Sequence, residues 1–410
     1  MRGWNPTRLA LGSIALVVLT YLIVIPVAGM IVERFAPSKT SRIVEDMSLA
    51  EQVRLRTTEA LTALAFASFG ASIGSFLNVV AYRAPRRESV AFRRSRCPSC
   101  GKQLRWNENL PILGWLRLKG RCGACDTPIS SRYIVVEAAT ASLFVLLYFA
   151  ELISGGANVP IRKPNFYNGV VWIIFYTKWD LVRLYLFHCL AACCLLTLTL
   201  IDIDRLRLPA WLRWLAAVSL IALPAIWPDL LPVTWLERNT SPYAIREWTV
   251  ATAIPTSVAG GMVGALVGWL ASRIVFGGKP SLTSEKPETA GSARPPGGHM
   301  VSAGLIVGLS VGWQATIGVW ILALALRPLA IIIARALRQG ELPMTLLLLV
   351  GFAIQLVVWR WTSAWWWPSS SATLITWGVS AVVLAALCVW TRRVHGSTFQ
   401  PPSSPETAYP

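Results

Sequence analysis

Acidic residues are scarce in this chain. Twenty Asp and Glu stand against 38 Lys and Arg, histidine occurs three times, and charged residues make up only 14% of 410 positions. A soluble protein of this length needs a largely polar surface, and this composition cannot supply one. No aspartate follows Gly297. No internal repeat and no P-loop occurs, which removes solenoids and P-loop nucleotide chemistry from consideration. The formal charge of +18 would by itself suit a nucleic-acid partner. The Lys and Arg lie between apolar runs, however, so the charge reads as membrane topology and no nucleic-acid partner is expected.

What is abundant agrees. Hydrophobic residues reach 54%, and the twenty tryptophans suit the aromatic belts of a lipid-embedded protein. Apolar runs at 9–32, 61–82, 134–153, 181–201, 211–231, 250–276, 301–311, 317–336, 344–359 and 372–390 predict about ten transmembrane helices. The fold class is therefore all-α, a polytopic membrane bundle with the lipid bilayer as its main partner. Residues 83–133 hold twelve Lys or Arg against three acids, so this loop and both termini are expected on the cytoplasmic side. Gly260, Gly261, Gly264 and Gly268 have spacing suited to close helix packing. Segment 277–297, rich in Pro, Ser, Gly and Thr, reads as a flexible linker, and the tail from Thr391 as disordered.

Eight cysteines divide into two groups. Cys189, Cys193, Cys194 and Cys388 lie in apolar runs, while Cys97, Cys100, Cys122 and Cys125 form two CxxC pairs in the basic loop. Four thiolates at that spacing close a tetrahedral Zn²⁺ site with no open position, so the metal is structural rather than catalytic. A cytoplasmic loop also keeps these thiols reduced. Its Arg86, Arg87, Arg93 and Arg94 either mark topology alone or also meet anionic headgroups. Two intramembrane ionisable groups stand out. Glu137 is read as a site residue or as a partner of Arg132, and Arg327 as a partner of an intramembrane acid or as a snorkelling side chain.

Five short stretches in this order carry a resemblance: Gly74-Ser75-Phe76-Leu77-Asn78-Val79-Val80, the first CxxC, Asn109-Leu110-Pro111 to Gly114-Trp115-Leu116, the second CxxC, and Ser131-Arg132-Tyr133 to Glu137. They resemble the cytoplasmic loop of prepilin peptidases, membrane aspartyl proteases that mature type IV pilins and type II secretion pseudopilins. The resemblance covers about 70–212 and resumes weakly at 298–351. It implies a bacterial inner-membrane enzyme whose partner is a prepilin or pseudopilin precursor with a short basic leader. It also implies possible N-methylation from S-adenosylmethionine, although no residue here independently marks a methyl-donor site.

By the same resemblance the chain divides into 1–57, an added anchor and outside loop; 58–153, the N-terminal region with the four-cysteine loop at 83–133; 154–276; the linker 277–300; 301–390; and the tail 391–410. In Ile201-Asp202-Ile203-Asp204, Asp202 falls on the first catalytic position and Asp204 on its companion. They cannot pair with one another, because residues two apart on a helix point about 200° apart. Asp204 is thus expected in a supporting role, or paired with Arg207. The family's second aspartate, in a GxGD motif, is missing. Counting back from Gly312-Trp313-Gln314 lands on Gly297-Gly298-His299-Met300. Three readings follow: His299 substitutes as base or charged electrophile, Glu285 or Glu288 swings in from the linker, or the chain is an inactive homologue that binds pilin-like proteins as an assembly factor. A transporter or lipid-handling protein that borrowed the fold stays open beside these.

Overall fold

The computed structural model describes residues 48–90, 95–97, 99–160, 169–233, 250–276, 299–336, 342–365 and 374–396. The expected span at 9–32, the linker at 277–297 with Glu285 and Glu288, and residues 397–410 lie outside the described residues, whereas 391–396, expected as the start of a disordered tail, continue the last helix (Leu374–Gly396). Among the described residues the chain is helical, with only two isolated β-bridges. Six helices are long and apolar enough to cross a membrane, and Ala210–Ile226 and Gly378–Arg392 are shorter apolar helices. The chain is a multi-pass membrane bundle. The segment Met300–Ala336 holds two helices joined across a kink at Gly312 (φ 77°, ψ 169°), one at each of the expected seventh and eighth spans. A left-handed backbone of this kind suits glycine, which has no Cβ to clash.

Two compact units partition the chain: Met1–Ser75 with Arg94–Tyr148 and Tyr167–Thr177, and Phe76–Arg93 with Phe149–Phe166 and Lys178–Pro410. The first contains the start of α1 (Leu49–Arg83), the short α2 (Leu113–Arg117), α3 (Arg132–Leu147) and α4 (Val170–Phe175). α1 begins earlier than the apolar pattern implies. Ser48 and Glu51 form a capping box there: the Ser48 N–H donates to Glu51 Oε2 (2.8 Å), and the Glu51 N–H donates to Ser48 Oγ (3.4 Å). Gly70 and Gly74 lie against Phe144 and Thr140 of α3, and a Cβ at either would stand 2.9 or 2.7 Å from those side chains.

The second unit contains α5 (Trp179–Ile203), α6 (Ala210–Ile226), α7 (Val250–Phe276), α8 (Met300–Ala336), α9 (Met344–Trp365) and α10 (Leu374–Gly396). Within lipid, apolar burial does not drive helices together, and close backbone packing takes over. α7 and α8 show it. Gly260 and Gly264 face the backbone of Gly308 and Gly304, and Gly268 faces Met300. Ser257 Oγ donates to the Leu309 carbonyl at 3.0 Å. The contact fixes the N-terminus of α8, and with it the residue just before Met300.

Candidate active site and metal centre

That residue is His299. Its carbonyl accepts the Ala303 N–H (2.9 Å), which makes it the N-cap of α8. α5 ends beside it in a Schellman motif. The Arg205 N–H returns to the Asp202 carbonyl (2.9 Å) and the Leu206 N–H to the Ile201 carbonyl (3.1 Å), with Arg205 left-handed at φ 54°. This turn leaves the Leu206 carbonyl free to accept from His299 Nε2 at 2.8 Å. A carbonyl only accepts, so Nε2 carries a proton. Asp202 Oδ1 lies 3.9 Å from the same nitrogen, a charge contact rather than a hydrogen bond. The other carboxylate oxygen, Oδ2, accepts from Thr345 Oγ1 at 2.8 Å.

Three helix ends therefore meet at Asp202. α8 and α9 both bring their first turns, where the backbone dipole favours negative charge. The Asp202 side chain is 16% exposed, while that of His299 is 1% exposed. The carboxylate is partly open to solvent, and the imidazole is buried. Asp204 is the C-cap of α5, half-buried, with its N–H on the Leu200 carbonyl (3.2 Å). Sequence reasoning brought Asp202 and His299 to one place and missed Thr345 and the Leu206 carbonyl. A second apparent motif misleads. Gly308-Leu309-Ser310-Val311-Gly312 has the GxSxG spacing of a nucleophile elbow. Ser310, however, lies fully buried in α8 and donates to the Val307 carbonyl.

The four loop cysteines converge as expected. Cys97 and Cys125 sulfurs are 3.8 Å apart, Cys100 and Cys122 are 4.0 Å apart, and all four lie within 4.8 Å of one another. A tetrahedron of sulfurs about 2.3 Å from zinc has edges near that length, so the donor set fits Zn²⁺. Both CxxC turns are built alike. Cys97 N–H donates to Lys102 O and Gly101 N–H to Cys97 O, while Cys122 N–H donates to Thr127 O and Asp126 N–H to Cys122 O. Backbone N–H groups of Cys100 and Ser99 hold the Cys97 thiol below its usual range. The Thr127 hydroxyl and N–H bring Cys125 down to about 6. The Lys102 N–H pulls Cys100 down, but the surrounding thiols and burial outweigh it and push that thiol up to about 11.

Beside this loop Glu137, read as a site residue or a partner of Arg132, turns its carboxylate to the backbone. Its Oε2 accepts the Ile112 N–H at 2.6 Å. Ile112 sits in a γ-turn at φ 62°, ψ −55°, closed by Leu113 N–H on Pro111 O at 2.6 Å. That backbone is rare and strained, the more so for a β-branched residue. The buried carboxylate holds it in place.

Fold and sites together define a multi-pass α-helical membrane protein with a four-cysteine loop and a carboxylate at a helix end. Residues 68–150 match the Bacterial Peptidase A24 N-terminal domain, so over this region the likeness to the prepilin peptidase family is established. The Prepilin leader peptidase/N-methyltransferase of Myxococcus xanthus is 53% identical over 75 residues, 18% of this chain and 22% of that protein. Its namesake in Dichelobacter nodosus is 37% identical over 108 residues, 20% of this chain and 38% of the relative. The one in Pseudomonas putida is 28% identical over 222 residues, 49% of this chain and 60% of the relative. The chain thus spans less than two thirds of the length of these relatives. No solved structure matches it.

Proposed function

We propose that this chain is an inner-membrane endopeptidase that removes short basic leaders from type IV pilin or pseudopilin precursors. The observation that supports it is the convergence of Asp202, Thr345 and the α8 and α9 N-termini on one partly exposed carboxylate. Asp202, ionised and oriented by Thr345, takes a proton from the water that attacks the scissile carbonyl. It returns that proton to the leaving nitrogen as the bond breaks. His299 stands where the family's second acid is missing. It carries its proton on Nε2, secures the Leu206 turn and, when charged, offsets the carboxylate. Its burial makes it a positioning group in this conformation, and Asp204 supports the helix end.

The zinc site holds the loop that folds on no core of its own, and zinc would be held by Cys97, Cys100, Cys122 and Cys125. The names of the relatives join methyl transfer to cleavage, which brings S-adenosylmethionine in as donor without assigning it a residue. The basic loop and Arg392 and Arg393 support a cytoplasmic side for both termini. Cleavage of a type IV prepilin in membranes tests the reading. The unaltered chain is expected to cut, and Asp202→Asn to lose about 10²–10⁴-fold in rate. An unaltered chain that does not cut, or an Asp202→Asn variant that cuts as well, overturns it.

A further inference from the structure

One buried ionisable pair is not used by the Asp202 site. His188 lies on α5 fourteen residues before Asp202, about 21 Å away along the helix axis. Its Nδ1 is 2.6 Å from Glu151 Oε1, and both side chains are 0% exposed. Glu151 comes from the π-helical turn Tyr148–Ile153, a form that often occurs at functional sites. Phe187, Phe352 and Trp359 set rings around the imidazole at 6.0, 6.5 and 6.2 Å. The titratable groups that face the pair are Tyr185 and Cys189 on α5. From α9, Phe352 and Trp359 are uncharged, and Arg360 is held by the carbonyls of Val159 (3.1 Å) and Gly156 (3.5 Å). His188 Nε2 and Glu151 Oε2 are buried and make no hydrogen bond among the described residues.

An apolar wall around one carboxylate and one imidazole selects a single protonation level. With one proton between them the pair is neutral overall, whether that proton sits on nitrogen or on oxygen. Removing it leaves a net negative charge and adding another leaves a net positive one. Both are costly in an apolar interior. The carboxylate also fixes the ring, so that Nε2 is the nitrogen presented, as in carboxylate–histidine pairs that orient a base or ligand. We propose that Glu151 and His188 form a second site, a proton-binding site inside the bundle that holds one shared proton between them. A second proton there severs the pair and releases the π turn from α5.

The chain has only three histidines, so imidazole ¹⁵N NMR of the full-length protein in nanodiscs resolves each, with His188→Asn assigning one. The His188 Nδ1 signal is expected to carry the signature of a strong hydrogen bond to a carboxylate. Glu151→Gln is expected to shift the His188 Nδ1 signal, because the carboxylate that shares the proton is gone. A native His188 that titrates like an exposed histidine overturns the proposal even if the variant fails to fold. So does a folded Glu151→Gln whose His188 spectrum is unchanged. Zinc titrated into the protein is the third arm. A second bound equivalent that perturbs His188 reassigns the free nitrogen to a cation and likewise overturns the proton site.

Discussion

Asp202 depends on one protein hydroxyl for its orientation, and that hydroxyl belongs to Thr345, 143 positions away. Thr345→Val keeps the shape and removes the donor. A hydrogen bond to a charged group is worth about 1.5–3 kcal/mol, so leader cleavage is expected to fall about 10–150-fold in kcat, with KM little changed. Thr345→Ser should keep most of the rate, and equal losses in both variants would point to packing instead. Asp202 was legible because the resemblance to prepilin peptidases puts a catalytic acid at the end of this apolar run. His299 became legible through its distance from Gly312-Trp313-Gln314. Thr345 was not, since a small polar residue at the start of an apolar run carries no mark until the fold brings two helix ends together.

Helix contacts in this bundle rest on glycines whose neighbours differ in how far they can yield. At Gly264 an added Cβ meets the Gly304 carbonyl, which cannot move without the whole of α8. At Gly261 the nearest atom is the Leu309 Cδ2 methyl, 2.7 Å away at the end of a flexible side chain. Gly264→Ala is therefore expected to cost about 3 kcal/mol or more and to lower thermal stability in detergent markedly, and Gly261→Ala about 1 kcal/mol. Comparable losses at both positions would contradict the packing. The spacing of these glycines made the contact readable in advance. The Ser48–Glu51 capping box was equally visible in the sequence, yet the mixed charges around it suggested a loop. The break at Gly312 agrees with the two separate apolar runs at 301–311 and 317–336. The γ-turn at Ile112 had no sequence signal, because an isoleucine there runs against local preference and is held by Glu137 from another helix.

For the whole molecule, composition and apolar runs defined a membrane bundle, and cysteine spacing defined its metal loop. Both are long-range properties that survive without knowledge of packing. Zinc gives the last test. At pH 7 the Cys125 thiol, at about 6, is largely thiolate, whereas Cys100, at about 11, keeps its proton. Four-thiolate ligation must therefore displace at least the Cys100 proton. Affinity is expected to rise between about pH 7 and 9, and to fall below about pH 6 as Cys125 also takes up a proton. Competition with a chromophoric chelator across that range measures it on the intact chain. A flat profile would count against ligation by all four sulfurs. Cys97→Ser should abolish tight binding and expose the loop to protease, since the two CxxC turns have only short backbone bridges to hold them. The helical circular-dichroism signal should persist, because the membrane helices bury their backbone hydrogen bonds within themselves.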